Sequence, residues 1–205
     1  SRQYLARMQD EKSYCMGVAK QYGLDYWDGE RRFGYGGYKY DGRWSVVAEQ
    51  LIETYKLTED STVLDVGCGK GYLLYEIEKL LPGITLSGFD MSEYAIQNAK
   101  PEIRDRLYIH CAQDEYTYEN NSFDLVISLN TLHNLEVYDL KSALQEMNRV
   151  GRQQYLLVES YKNDKELFNL QCWALTCQAF FSPEEWTWLF NEFGYSGDYE
   201  FIFFE

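Results

Sequence analysis

Three groups of residues in this chain have types and spacings suited to chemistry. The first is VLDVGCGKGYLLYEI, Val63 to Ile77, where Gly67, Gly69 and Gly71 recur at every second position between an apolar run and a helical pattern. Glycines at a strand-to-helix turn let the backbone bend sharply and let a ligand come within contact distance of it. Asp65 and Cys68 lie inside the same run. The spacing is G-x-G-x-G, and a dinucleotide-binding loop would instead carry its third glycine at Tyr72. The second group is the two histidines, His110 and His133, whose side chains titrate near neutral pH. The third is RRFGYGGYKYDGRW, Arg31 to Trp44, where Arg31, Arg32, Lys39 and Arg43 face only Asp41 among tyrosines and glycines.

These residues need elements to position them. Trp44 to Tyr55 has apolar residues at helical spacing. Val63 to Val66 reads as a buried strand, and Gly71 to Leu81 as a helix stopped by Pro82-Gly83. Thr85 to Asp90, Leu107 to Cys111, Phe123 to Leu129 and Gln154 to Ser160 read as further strands. Ser92 caps a helix that Pro101 ends, and Val137 to Val150 is another helix. Ser182, Pro183 and Glu185 form a helix start, and Asp198 to Phe204 reads as a last strand. The part before about Tyr40 shows little periodicity. Strands alternating with helices predict an α/β fold, a doubly wound, mostly parallel sheet. In such sheets ligands bind beyond the carboxyl ends of the strands, where the strand order reverses. The glycine run sits at that end of the first strand.

On these residues the chain resembles the class I S-adenosylmethionine-dependent methyltransferases. Leu64, Asp65 and the three glycines match the family's h-D-x-G-x-G-x-G motif. In GFDMSEYAI, Asp90 falls where the family uses an acid to chelate both ribose hydroxyls, and Met91 where it places an apolar side chain against adenine. Two acceptor oxygens facing two adjacent hydroxyls explain the carboxylate. SFDLVISLNTLHNL resembles the fourth strand and its loop, with Asn130 beside the cofactor's amino-acid portion. FFSPEEWTWLFNEFGY resembles the late helix. The likeness covers about Ser61 to Tyr195 and implies the Rossmann-like methyltransferase fold, S-adenosyl-L-methionine as cofactor and methyl transfer as activity. Two departures stand out. Ala112 occupies the place of the acid that reaches the adenine amino group, leaving Gln113 or Asp114 to substitute. Only eleven residues follow Gly194, enough for one terminal strand rather than a pair.

Transfer from a sulfonium is an in-line displacement, in which orientation supplies roughly 7–11 kcal/mol at best. An alcohol acceptor also needs a base, typically a factor of about 10²–10⁴. His133, just past the fourth strand, is the candidate base; its alternative is a loop histidine bonded to the backbone. His110 reads as packing. Glu159 and Tyr161 end the fifth strand on the same face. Residues 1–45 are expected to form a lid and substrate segment over a core of 46–205, with glycines as hinges. Arg43 or Lys39 would meet the cofactor carboxylate. Tyr35, Tyr38 and Tyr40 would contact an acceptor, Arg31 and Arg32 an anionic one, and Trp173, with Phe180 and Phe181, would form the opposite wall. The GYGGYKYDGRW string resembles small methyltransferases of bacterial surface-polysaccharide genes, implying a hydroxyl of a sugar or nucleotide-sugar. An amine or protein side chain is the alternative acceptor. A non-catalytic cofactor-binding partner protein is the alternative class, and it predicts a degraded loop that this sequence does not have.

Composition excludes other classes. A net charge of −14 opposes binding to nucleic acid, whose affinity rests on phosphate contacts. No N/D-P-P-Y-type motif follows the fourth strand; the residues there are Asn130 to His133. No apolar run approaches the eighteen or so residues of a membrane span. The five cysteines are scattered and lack metal-ligand spacing, so free thiols, no metal and a cytoplasmic setting are expected, as monomer or homodimer.

Overall fold

Six short segments become strands: β1 (Thr62–Val66), β2 (Thr85–Asp90), β3 (Leu107–Ile109), β4 (Phe123–Leu129), β5 (Gly151–Glu159) and β6 (Asp198–Ile202). In the computed structural model, which describes residues 2–205, they form one sheet in the order β3-β2-β1-β4-β5-β6. Every pairing is parallel. The order reverses between β1 and β4, so a crevice opens beyond their carboxyl ends. Ahead of the sheet run α1 (Tyr4–Gln9), α2 (Lys12–Ala19), α3 (Leu24–Trp27) and α4 (Ser45–Tyr55). Between and after the strands come α5 (Tyr72–Leu80), α6 (Glu93–Gln97), α7 (Val137–Val150), α8 (Asp164–Trp173) and α9 (Pro183–Phe193).

The sheet is covered on both faces because alternate strand residues point to opposite sides. Val63, Leu86, Leu125 and Ile127 pack with Leu51 of α4 and Leu74 and Ile77 of α5. Leu64, Val66, Val126 and Leu156 pack with Leu144 and Met147 of α7 and Trp186 and Phe190 of α9. Burying one such aliphatic side chain contributes roughly 1.5–3 kcal/mol. Caps fix the helix starts as the sequence leads one to expect. Ser92 Oγ accepts from Ala95 N at 3.0 Å, and Ser182 and Glu185 form a reciprocal capping box.

The structure departs from the sequence reading at the amino-terminal end and after β5. Residues without clear periodicity form α1 to α3, and the aromatic run after β5 begins inside α8. α1 buries none of its own residues. It is held by tertiary contacts instead: Arg7 Nε donates to Trp173 O at 2.9 Å, and the Tyr4 and Trp173 rings meet edge to face. Such a helix leaves no pattern in its own sequence. The last strand, β6, lies parallel to β5, joined to it through α8 and α9.

Candidate active site

The glycine loop leaves β1 in a backbone form that only glycine adopts readily. Gly67 has φ +81°, and a Cβ there would lie 2.2 Å from Thr131 Oγ1. Gly69 has φ +55°, and its Cβ would lie 2.9 Å from the Trp27 indole. Both Gly67 N and Cys68 N donate to Phe89 O, at 2.8 and 3.0 Å, which ties the loop to the end of β2. The next residue, Asp90, is held by two backbone donors: Gly69 N at 2.9 Å and Ser92 N at 2.8 Å. Burial pushes the Asp90 carboxyl up, against the pull of those two N–H groups.

Asp65 has no such support. It is 4% exposed and forms no ion pair among the described residues, and no hydrogen bond offsets its burial. Burial, and then the charge of Asp90, push its carboxyl up to about 8. Two acids that form no ion pair among the described residues therefore border one space. That space is a cavity of about 380 Å³. Asp65, Gly67, Cys68, Gly69, Asp90 and Met91 line one part, joined by Gln113 and Asn130. Asn130 has φ +60°, and its Oδ1 is buried without a partner. Asparagine tolerates that left-handed region better than other non-glycine residues.

The segment before α4 walls the cavity with aromatic rings. Trp27 donates from Nε1 to Ser92 Oγ at 2.8 Å and stacks on Tyr35 at 5.2 Å. Tyr38 stacks on Tyr72 at 5.1 Å. A latch holds this wall to the glycine loop. The buried Lys70 ammonium lies 2.7 Å from Asp28 and donates to Tyr38 O at 2.9 Å, while Tyr94 OH donates to Asp28 at 2.8 Å.

Several expected residues stand elsewhere. Arg43 is exposed and paired with Asp41, two residues away, and Lys39 is exposed away from the cavity wall. Tyr40 is off the cavity wall, packed against Tyr72 and Tyr75 of α5 with its hydroxyl donating to the buried Glu76. Arg31, Arg32 and Trp173 gather around a separate pocket. Phe181 packs on Trp186 in the core, so the opposite wall comes from Thr176 and Gln178 instead. Tyr161 OH donates to Glu185 at 3.4 Å, outside the cavity. Asp114 is exposed off the wall, whereas Gln113 lies on it. His110 packs edge-on against Phe89 as expected, and also borders the cavity.

The candidate base needs correction as well. His133 is 4% exposed and does not line the cavity. Its Nδ1 accepts from Glu159 N at 3.3 Å, and its Nε2 lies 3.6 Å from Glu159 Oε2. Burial lowers its pKa, and Glu159 only partly opposes this. The neutral imidazole is a backbone acceptor joining the β4 loop to β5, and Glu159 is its neighbour rather than a cavity residue. Sequence reasoning missed Tyr22, Tyr26, Trp27 and Lys20, which all line the cavity. The aromatic density of QYGLDYWDG was the visible signal. Lys20 is the one lysine or arginine on the cavity wall among the described residues.

A glycine loop at the switch point of a parallel sheet, with an acid ending the next strand, defines a Rossmann-like small-ligand site. The chain belongs to the family described as "Methyltransferase domain", whose profile matches residues 57–194. It is 27% identical over 158 residues to a malonyl-[acyl-carrier protein] O-methyltransferase of Priestia megaterium, covering 68% of this chain and 56% of that protein. It is 29% identical over 109 residues to the mitochondrial arginine-hydroxylase NDUFAF5 of Mus musculus, covering 53% and 31%. The chain thus spans between about a third and just over half of these curated relatives' length. In fold it matches a Haloferax volcanii chain solved in complex with the Trm112 methyltransferase activator, with TM-score 0.60 and 22% identity over 90% of this chain and 76% of that one.

Proposed function

We propose that this chain binds S-adenosylmethionine in the 380 Å³ cavity and transfers its methyl group to a small molecule. The observation that carries the reading is the pairing of a bare glycine cradle with two buried acids, one of them without a partner. The residues fit the cofactor. A cationic group beside Asp65 would supply its missing counter-charge, Asp90 suits a pair of hydroxyls, and Met91 and Gln113 suit a purine. Asn130 Oδ1 is free to accept a hydrogen bond.

When bound, the cofactor supplies a methyl group already activated on a sulfonium. The chain's own residues position and shield. Trp27, Tyr35 and Tyr38 keep water from the glycine loop, and the Asp28–Lys70 latch holds them there as a lid. Tyr22 and Tyr26 offer ring faces to an acceptor, and Thr176, Gln178 and Asn134 offer hydrogen bonds. That mixture of ring faces and neutral polar groups favours a hydroxyl of a sugar or nucleotide-sugar derivative. Glu136 and Asp139 are the carboxylates on that part of the wall able to take its proton. The retreat of His133 favours a second reading, a small amine whose free base needs no proton acceptor.

Calorimetric titration with S-adenosylhomocysteine, with nicotinamide dinucleotides as controls, tests the first step. Saturable binding of the former alone supports the reading; no binding by folded protein refutes it. Radiolabelled methyl transfer to panels of sugar derivatives and small amines then separates the two acceptors.

A further inference from the structure

Two of the basic residues expected at the cavity, Arg31 and Arg32, instead join Arg2 and Arg7 at a second pocket. Arg2, Arg7, Arg31 and Arg32 line a pocket of about 570 Å³ with Trp173, and Asp10 is the one carboxylate on its wall. Asp10 is already paired with Arg32 at 2.8 Å. The guanidinium carbons of Arg2, Arg7 and Arg31 lie 5.3, 4.7 and 5.0 Å from the centroid of the same Trp173 ring. None of these three forms an ion pair among the described residues. Three cations thus crowd one indole, each pair within about a Debye length of about 10 Å. Cation–π attraction holds each, at about 0.5–1 kcal/mol for exposed sites, but does nothing for their mutual repulsion. Burial and then the Arg31 charge lower the Arg7 pKa, consistent with that repulsion.

Donors remain free for an anion. Arg7 is fixed by donating from Nε to Trp173 O and from Nη1 to Arg31 O, both at 2.9 Å. Arg31 donates to Gly34 O, and Arg2 lies over the Phe204 ring at 4.7 Å. Each guanidinium carries five N–H donors, so most remain available. A carboxylate brings one negative charge and two oxygens in one plane, which leaves most of the positive charge of three guanidiniums unbalanced. A phosphate or pyrophosphate balances more of it, and bidentate arginine contacts suit its geometry.

We propose that this pocket, built from α1, the loop at 31–34 and α8, binds a phosphate or pyrophosphate group. The loop links it to the central cavity, because Arg31 braces Gly34 and the next residue, Tyr35, is part of the cavity wall. The occupied pocket ties α1, the loop and α8 together. The anion is either free or one end of a larger phosphorylated molecule.

Calorimetry with inorganic pyrophosphate on the whole chain, at about 0.15 M salt, tests the site. The expected result is saturable binding, weakened at least about tenfold by Arg31→Gln and by Arg2→Gln. Arg2 is exposed and outside the central cavity, so the melting temperature and the S-adenosylhomocysteine affinity of Arg2→Gln should match the parent's. Absence of saturable pyrophosphate binding overturns the proposal, as does binding that survives both substitutions. A nucleoside diphosphate binding more tightly than pyrophosphate assigns the site to a larger phosphorylated ligand, and equal affinity assigns it to the free anion. The cofactor titration on the same sample keeps this outcome separate from that of the methyl-transfer reading.

Discussion

Asp65 allows the sharpest test, because its burial ties stability, pH and binding together. Its carboxyl moves from an ordinary 3.8 up to about 8. A tenfold change in proton affinity is worth about 1.36 kcal/mol, so ionising Asp65 in the empty cavity costs on the order of 5–6 kcal/mol. The raised folded value means that the folded chain holds this proton where the unfolded chain has lost it. The group's contribution is therefore fully present below about pH 4 and declines by up to about 1.4 kcal/mol per pH unit until pH passes about 8. Asp65→Asn removes that slope. The empty variant should be more stable than the parent by several kcal/mol near pH 8, read from denaturant midpoints between pH 5 and 8. Ligand binding should show the converse. A cationic group placed beside Asp65 needs the carboxylate, so S-adenosylhomocysteine should release close to one proton at pH 7. That release appears as a dependence of the calorimetric enthalpy on buffer ionisation. Its affinity should rise about tenfold per pH unit below pH 8 in the parent and stay flat in Asp65→Asn. Equal proton release by parent and variant, or parallel stability profiles, would refute the assignment of an unpaired buried acid.

Asp90→Ala should weaken S-adenosylhomocysteine binding by more than about tenfold, since two hydrogen-bond-accepting oxygens leave the cavity wall; unchanged affinity in calorimetry would move the hydroxyl site elsewhere. His133→Ala should lower stability by about 1–3 kcal/mol by leaving the Glu159 N–H without its acceptor. It should keep the turnover of folded enzyme and the neutral-pH limb of the rate profile, and a loss beyond a hundredfold would restore the base role. Asp28→Asn should cost about 3 kcal/mol, the lower end of the range for breaking a buried pair, because Asp28 is itself partly exposed. Burial raises the Asp28 carboxyl, but the Lys70 and Tyr94 hydrogen bonds outweigh it and hold it below its usual value. Its stabilisation is therefore present above the ordinary carboxylate range and lost as pH falls, opposite in sign to Asp65. Faster proteolysis between residues 27 and 44 in Asp28→Asn should accompany that loss; an unchanged cleavage rate would show that the latch does not hold the lid.

The sheet and its glycine loop could be read from the sequence because each rests on local rules. β1 is a short run, apolar but for Thr62 and Asp65, and α9 carries its capping box at one end and a glycine stop at the other. Gly67 and Gly69 announce positive φ by being glycine, but nothing near them names what closes on them. Trp27, whose ring approaches Gly69, lies some forty residues earlier in a helix of four residues, too short for any periodicity. The four basic residues of 31–43 show the limit most clearly. Their excess over Asp41 is visible in the sequence, and a count of charges suggests one anion site. Their destinations follow from competition instead. Arg43 finds a carboxylate two residues away, and Arg32 finds Asp10 and Glu11 across a turn. Lys39 stays in solvent. Arg31 also meets no acid, but it lies against Trp173, which is supplied by a helix more than a hundred residues later. Which cation remains free to bind a ligand is thus decided by which carboxylates and rings the fold brings within reach, a property of the assembled structure that no local charge count contains.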